Sequence, residues 1–392
     1  MEEKKELELY IHIPFCVRKC KYCDFLSAVS TGGRRQEYVE SLCRKIRTYK
    51  DLAKAYTLVS IFLGGGTPSI LTGQQLRDIF EAIGETFSLE KDAEITMEMN
   101  PGTVTRQKLL EYKACGINRL SIGLQSTESR ELKALGRIHS YEDFLDSYQM
   151  AREVGFDNIN VDLMSAIPFQ TRESYRRTLQ RLVNLTPPPE HISAYSLIIE
   201  EGTPFYEIYE EEGTKKFSED AIRDFGRLPG EEEERGMYRD TIEILKSYGY
   251  HRYEISNYAK EGYECRHNLG YWNRREYLGI GSGAASLIEN RRFSSPSLPE
   301  GEKEPYENVE ILTGKAQMEE TMFLGLRTMR GVSAEKFYES FGVTLEETYG
   351  SLIEKLVAHE LLEWEKTKED SYLRLTEKGI DVSNYVMSEF LF

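Results

Sequence analysis

Three of the six cysteines in the chain fall within eight residues, at Cys16, Cys20 and Cys23. Thiolates are soft ligands that favour iron–sulfur clusters or zinc. Three thiolates on one short loop can bind three irons of a four-iron cluster, which leaves the fourth iron open to a small chelating molecule. The alternative is a zinc site with His12 as the fourth ligand, but hydrogen bonding or core packing suits a histidine within a strand better. The spacing therefore predicts a metal centre and favours a cluster over zinc.

A glycine-rich segment, residues 64–68, follows the second predicted strand and contains Gly64, Gly65, Gly66 and Thr67. Consecutive glycines let backbone N–H and C=O groups come close to a ligand. Such a run is often only a turn. At the carboxyl end of a strand beside the cysteine loop, it is a candidate ligand-binding segment.

Polar side chains end three further predicted strands. Glu98 ends the third strand, where a carboxylate can accept hydrogen bonds from a sugar diol. Gln125 and Asp162 end the fourth and fifth strands, and Arg137 follows the fourth. Each of these residues alone is equally well explained as a structural hydrogen-bonding group. Because the carboxyl ends of parallel strands meet at one mouth, the set predicts a shared ligand.

The segment 267–272 combines His267 with Tyr271 and Trp272. An imidazole beside two aromatic rings can give a flat iron macrocycle an axial ligand and a stacking surface. The alternative is a core turn with a hydrogen-bonded histidine, and residue chemistry alone favours that alternative. The other cysteines are expected to be buried or incidental thiols: Cys43, Cys115 and Cys265.

The elements that position these residues alternate along the first half of the chain. Strands are predicted at 7–13, 56–63, 93–98, 118–124, 156–163 and 191–197, and amphipathic helices at 34–49, 72–86, 105–115, 141–154 and 172–185. Such alternation indicates βα units and a parallel sheet. Six units predict an α/β fold with a partial (β/α)6 barrel. Further strand or loop elements are predicted at 250–255 and 278–287.

The predicted domains are a partial barrel with a β/α extension over 1–290, a linker or loop over 291–315 and a C-terminal domain over 316–392. The linker follows from the Ser, Pro, Glu and Gly content of 291–307. Helical patterns at 317–329, 334–341 and 345–359 lead into a possible hairpin of 361–364 with 372–375. This order predicts a small winged-helix-like domain. It shows no basic recognition face, so we interpret it as a cap or interaction module.

Composition excludes several classes of protein. The formal charge is −16 over 392 residues, which disfavours binding to nucleic acid or to anionic lipid. Neither a signal peptide nor an integral membrane segment is predicted. A cytoplasmic location is therefore expected, where six cysteines would stay reduced.

Taken in order, the three-cysteine motif, the Gly-Gly-Gly-Thr-Pro segment, Glu98 and the strand ending at Gln125 resemble the radical S-adenosylmethionine (SAM) superfamily. More narrowly, the chain resembles the family of the oxygen-independent coproporphyrinogen III oxidase. The segments 10–16, 121–126, 135–139 and 160–164 carry that resemblance. It extends over nearly the whole chain, including the C-terminal domain.

Within that family the sequence is most similar to the HemW-type heme chaperones. The oxidases have a fourth cysteine two residues after the third, where this chain has Phe25. They also have a long N-terminal extension for substrate, whereas fifteen residues precede Cys16 here. The His267-Asn268-x-x-Tyr271-Trp272 motif is typical of the heme chaperones and implies heme binding at His267, Tyr271 and Trp272.

The resemblance implies that Cys16, Cys20 and Cys23 hold a [4Fe–4S] cluster whose open iron SAM chelates. It places Tyr10 and Tyr22 beside the SAM, and Gly65, Gly66 and Thr67 at its methionine end. It assigns the ribose and neighbouring groups to four residues: Glu98, Gln125, Arg137 and Asp162. The implied function is a heme chaperone that passes heme to acceptor proteins. The alternative is a radical SAM enzyme that oxidatively decarboxylates coproporphyrinogen III. The family's shared chemistry cleaves SAM to a deoxyadenosyl radical and methionine, and such chemistry requires an electron donor. The resemblance leaves two alternatives for this branch: radical chemistry in turnover, or a cluster and SAM that serve structure or regulation.

Overall fold

The main element of the fold is a twelve-stranded sheet. A computed structural model of the protein describes residues 4–209, 225–296 and 306–391. The strand order across the sheet is β14-β13-β12-β11-β1-β4-β5-β6-β7-β8-β10-β9. The strand bounds are β1 Lys5–Ile13, β4 Tyr56–Gly65, β5 Ser88–Met99, β6 Arg119–Gln125, β7 Ile159–Ser165, β8 His191–Ser196, β9 His251–Glu254, β10 Asn257–Ala259, β11 Tyr277–Ile280, β12 Ala285–Ile288, β13 Arg291–Ser294 and β14 Glu307–Ile311. A separate parallel pair, β2 Phe15–Cys16 and β3 Ala28–Val29, frames the cysteine loop.

The strands from β1 through β4, β5, β6 and β7 to β8 pair in parallel, as the alternation of elements predicts. The helices of this part are α1 Gly32–Arg47, α2 Gly73–Gly84, α3 Arg106–Ala114, α4 Ser129–Leu135, α5 Tyr141–Val154, α6 Arg172–Val183, α7 Pro204–Tyr209, α8 Glu231–Ser247 and α9 Arg266–Trp272. Thr72 and Ser140 cap α2 and α5 by accepting hydrogen bonds from backbone N–H groups three residues on. The α/β fold with an open, partial barrel is confirmed.

The sheet extends beyond the six predicted strands on both sides. On one side β11 pairs in parallel with β1, and β12, β13 and β14 follow as antiparallel strands. On the other side β10 and then β9 follow β8 as antiparallel strands. The range 278–287, predicted as one element, contains parts of two strands. The interpretation of 291–315 as a linker needs correction, because β13 and β14 lie within it. Phe293 explains the difference: it is buried in the main core, although the composition around it is that of a loop.

The C-terminal domain has its own apolar core. Its elements are α10 Gly314–Gly325, β15 Val332–Ser333, α11 Ala334–Phe341, α12 Leu345–Ala358, β16 Leu362–Lys366, β17 Ser371–Leu375, α13 Glu377–Asp381 and α14 Ser383–Ser388. The predicted hairpin is β16 with β17, and β15 adds a third strand. The winged-helix-like arrangement is therefore confirmed. Backbone hydrogen bonds from Ile255 to Arg327 and from Met329 to Tyr253 join the domain to the end of the large sheet. Among the described residues, none of the helices has the length and apolar character to cross a membrane.

Candidate functional site

The three clustered cysteines line one cavity at the carboxyl ends of the parallel strands. The cavity wall also includes most of the polar residues that the sequence singled out: Tyr22, Gly65, Gly66, Thr67, Glu98, Gln125, Arg137 and Asp162. Tyr10 lies outside this lining, and its hydroxyl pairs with His12 Nδ1 at 3.1 Å. Glu98 and Gln125 lie at the carboxyl ends of β5 and β6 as expected, whereas Asp162 reaches the same cavity from the middle of β7 and does not end that strand.

The glycine-rich segment begins in the last two residues of β4 and has a conformation that side chains would block. Gly65 has φ +104°, and a Cβ there would lie 2.4 Å from the His12 ring. A Cβ on Gly66 would lie 2.6 Å from the carbonyl oxygen of Phe15. The backbone of this segment thus packs directly against the strand that leads into the cysteine loop, and only glycine fits at these two positions.

A chain of hydrogen bonds connects two of the cysteines across the cavity wall. Thr67 Oγ1 lies 3.5 Å from Cys16 Sγ and accepts from Asn100 Nδ2 at 2.8 Å. Arg137 donates to Asn100 Oδ1 at 2.6 Å, and its other terminal nitrogen lies 3.7 Å from Cys20 Sγ. Asn100 is the member that sequence reasoning missed. Its position two residues after Glu98, at the same strand end, is the signal that identifies it.

Two carboxylates face the cavity in surroundings that favour their protonated forms. Burial, together with the nearby Asp162, raises the pKa of Glu98 to about 8, against the opposing effect of the hydrogen bond from the Gly65 N–H. That N–H, 3.2 Å from Glu98 Oε2, is the hydrogen bond that the described residues give this carboxylate. Burial also raises the pKa of Asp162, against hydrogen bonds from Asn160 and Ser121. Glu98 therefore has acceptor capacity left for a polar ligand.

Gln125 has an unusual backbone at the end of β6. Its φ is +68°, in the left-handed region that favours glycine. The pairing of β6 with β7 shifts register between Gly123 and Gln125. Such bulges and strained residues are concentrated at functional sites, where they redirect a side chain. Gln125 lines the cavity as a result.

The cavity suits a thiolate-bound cluster and a small chelating ligand better than it suits zinc. Three thiols reach it from one loop, and two carboxylates, two side-chain amides and two guanidinium groups also line it. Within the described ranges, no three His, Cys, Asp or Glu side chains converge as they would on a single metal ion. Both ring nitrogens of His12 are already hydrogen-bonded, Nε2 to the Leu26 carbonyl at 2.8 Å. The zinc alternative with His12 as a ligand gains no support from this geometry.

His267 lies beneath the sheet rather than at a cavity surface. Its Nδ1 lies 2.8 Å from Ser60 Oγ and its Nε2 lies 3.1 Å from the Tyr271 hydroxyl. Its ring stacks on Phe62 at 5.2 Å, and burial lowers its pKa to about 3. Glu94 accepts hydrogen bonds from the first N–H groups of α9, including that of His267. The structure thus argues against His267 as an accessible iron ligand, because both ring nitrogens are engaged within the core.

The other two residues of that motif have different environments. The Tyr271 hydroxyl is occupied by His267, and its ring packs edge-on against Tyr277 at 4.7 Å. Trp272 instead lines a second cavity, between the large sheet and the C-terminal domain. The Arg327 guanidinium lies over its indole at 4.4 Å. Only Trp272 of the three is therefore placed to contact a bound ligand.

Comparisons with known proteins follow the same division of the chain. The Radical SAM superfamily model matches residues 10–182, and the HemN C-terminal domain model matches residues 312–382. The heme chaperone HemW of Lactococcus lactis is 35% identical over 99% of this chain and 98% of its own. The HemW of Bacillus subtilis is also 35% identical, over 97% of this chain and 98% of its own. The chain belongs to the HemW heme chaperone family.

The solved structure of the Escherichia coli coproporphyrinogen III oxidase HemN, a radical SAM enzyme, shares the fold. It is 22% identical, with a TM-score of 0.81 over 99% of this chain and 90% of its own. The identity is low, so this likeness establishes the architecture alone. Membership of the radical SAM superfamily implies a [4Fe–4S] cluster and SAM, and the cavity described above offers donors that fit both.

Proposed function

We propose that this protein binds heme and transfers it to acceptor proteins. The observation that carries the proposal is the similarity, along essentially the whole chain, to proteins named as heme chaperones. Both domains take part in that similarity, including the C-terminal domain that encloses the second cavity. A cytoplasmic location is part of the same proposal.

The first cavity is proposed as the cluster and SAM site. Cys16, Cys20 and Cys23 would hold a [4Fe–4S] cluster, and the backbone around Gly65, Gly66 and Thr67 would receive the methionine end of SAM. The ribose and adjoining groups would contact Glu98, Gln125, Arg137 and Asp162. Tyr22 would flank the ligand from the cysteine loop, and Tyr10 would act from behind the wall through its contact with His12.

The chain's own residues would prepare that site before any ligand arrives. Arg137 and Asn100 hold the walls of the cavity together through the hydrogen bonds to Gly123, Thr67 and Cys20. Glu98 would give up its proton when it accepts hydrogen bonds from a ribose diol, since the charged form is the stronger acceptor. A reduced cluster, when bound, supplies an electron to SAM. An external electron donor is needed for that step alone.

The alternative function is oxidative decarboxylation of coproporphyrinogen III. The position of the fourth cysteine of the oxidases is Phe25, which is 62% exposed at the cavity mouth. An exposed phenyl ring cannot replace a thiolate in any redox or ligand role. This difference favours heme handling over oxidase activity.

One anaerobic preparation tests both functions. The cluster is reconstituted, heme is titrated while the absorption spectrum is followed, and the same sample is assayed for coproporphyrinogen III consumption. Saturable binding near one heme per chain without porphyrinogen turnover supports the proposal. Porphyrinogen conversion at a substantial rate, or no saturable heme binding, overturns it.

A further inference from the structure

The cavity lined by Trp272 has the size and chemistry of a ligand site. It measures about 890 Å³, in the upper part of the range for small-molecule sites. It lies between the end of the large sheet with α9 and the C-terminal domain, from which α10, α11 and the strand β17 contribute. Its apolar wall includes Leu269, Trp272, Met329, Phe337 and Phe341. Trp272 and Phe341 are the partly exposed rings of this wall, so the large sheet side and the C-terminal domain each offer one aromatic surface to a flat apolar ligand.

The same cavity is cationic in a chain whose formal charge is −16. Five of its lining residues carry positive charge and one, Glu365, carries negative charge: the cations are Arg252, Arg274, Arg330, Lys336 and Arg374. Three of the five are paired with carboxylates outside the lining or at its edge. Across the described ranges, Arg330 and Lys336 have no carboxylate within 4.0 Å. Arg330 donates to the Tyr372 hydroxyl at 2.6 Å and lies 4.5 Å from that ring, contacts that leave its charge unneutralised. Two cations without a carboxylate partner beside an aromatic wall suit an apolar ligand with two carboxylates.

A further polar group in the wall lacks a partner. The indole Nε1–H of Trp272 is buried and has no acceptor within the described residues. A buried donor without an acceptor is costly, and such groups in native proteins call for an explanation. A carboxylate of a ligand bound in this cavity would supply such an acceptor.

The histidines point to the same cavity. Four of the six are buried with at least one ring nitrogen hydrogen-bonded inside the protein: His12, His139, His191 and His267. His359 ends α12 on the surface of the C-terminal domain, outside the lining. His251 lines the cavity, and its Nε2 lies 2.7 Å from Glu264 Oε1. A carboxylate on one ring nitrogen is the usual arrangement for a histidine whose other nitrogen binds a metal.

We propose that heme binds in the cavity between the large sheet and the C-terminal domain, with its propionates on Arg330 and Lys336 and its iron on His251. This assignment rests on the proposed heme-binding function and places the ligand away from the cluster cavity. Trp272 is the contact that links it to the motif at 267–272. The remaining motif residues, His267 and Tyr271, then support the position of α9 beneath the sheet instead of touching the iron.

The test uses two probes, ferric heme and iron-free protoporphyrin IX, titrated into the full-length reconstituted protein. Arg330→Glu with Lys336→Glu removes both cations that lack a carboxylate partner. Both side chains are exposed, so the variant should fold. Its affinity for both probes should fall by about tenfold or more, because two attractive charge pairs become repulsive. Lys368→Glu is the matched control, since this exposed cation lies outside the cavity.

His251→Gln separates the iron contact from the charge contacts. It should weaken heme binding and shift the heme absorption bands while leaving protoporphyrin affinity unchanged, and His359→Gln should change neither. Wild-type affinity for both probes in the double charge variant overturns the cavity assignment. An unaltered heme spectrum in His251→Gln overturns the iron ligand. If the wild-type protein binds no heme, the proposed function itself fails, which distinguishes that failure from a wrong site.

Discussion

Glu98→Gln should reduce SAM affinity in a pH-dependent way. In the folded protein without ligand the Glu98 pKa is about 8, so the carboxylate fraction is roughly one in thirty at pH 6.5 and one half at pH 8. If SAM binds the charged form, its affinity should rise roughly fifteenfold over that interval, because fewer molecules must release a proton. The charge-assisted bonds to the ribose contribute roughly 1.5–3 kcal/mol once the proton is lost.

Glutamine has the same size as glutamate but carries no negative charge and does not titrate. The variant should therefore bind SAM with a smaller change between pH 6.5 and 8, and roughly ten- to a hundred-fold more weakly at pH 8. Calorimetry on reconstituted protein measures both affinities, and the wild-type comparison removes the titration of SAM itself. Asp162→Asn measures how much the other carboxylate contributes to SAM affinity. Equal SAM affinities for wild type and Glu98→Gln at both pH values would refute the reasoning.

Three other substitutions test different parts of the account. Cys16→Ala should abolish the four-iron cluster while Cys115→Ala retains it, as iron counting and absorption after anaerobic reconstitution would show; a full iron complement in Cys16→Ala contradicts the ligand assignment. Glu8→Gln should flatten the pH dependence of stability. Burial is the main cause that raises the Glu8 pKa to about 8, so the acid holds a proton in the fold, and stability is lost as pH rises from about 4.5 through 8. At about 1.4 kcal/mol per pKa unit this amounts to several kcal/mol. The variant should thus unfold at a higher temperature than wild type at pH 9 but not at pH 5. An equal difference in unfolding temperature at both pH values would contradict a raised pKa for Glu8. His267→Ala should destabilise the fold by about 2–4 kcal/mol, through a cavity and lost hydrogen bonds to Ser60 and Tyr271, with an unchanged heme spectrum in the folded fraction; a shifted spectrum would restore His267 as a ligand.

The sheet was largely predictable because its strands and helices alternate in the sequence with clear apolar patterns. The six predicted parallel strands all form, and their carboxyl ends meet at the cysteine loop. The edge strands were not predictable in the same way. Segment 291–294 contains a single buried apolar residue, Phe293. It pairs with β12 through a two-residue turn at Glu289 and Asn290, both with positive φ. Glu-Asn is not one of the glycine-containing pairs that signal such a hairpin turn in a sequence.

The candidate sites also differ in how far the sequence predicts them. The cysteine spacing and the strand-end residues could be recognised because a parallel sheet brings strand ends together. The environment of His267 could not, since spacing along a helix does not reveal that Ser60 and Phe62 lie against it. The second cavity joins His251, Trp272 and Lys336 from three separate segments. Only the docking of the C-terminal domain brings them together.

Heme transfer is the property that most directly tests the proposed function. The protein is loaded with heme, freed of excess ligand, and mixed either with the apo form of a b-type cytochrome or with apomyoglobin as a passive scavenger. Difference spectra give the rate at which heme leaves the protein in each case. A chaperone should deliver heme to the cytochrome faster than heme dissociates to apomyoglobin, and the rate should rise with cytochrome concentration. Equal rates with both acceptors, independent of their concentration, would contradict directed transfer and leave only a heme-binding protein.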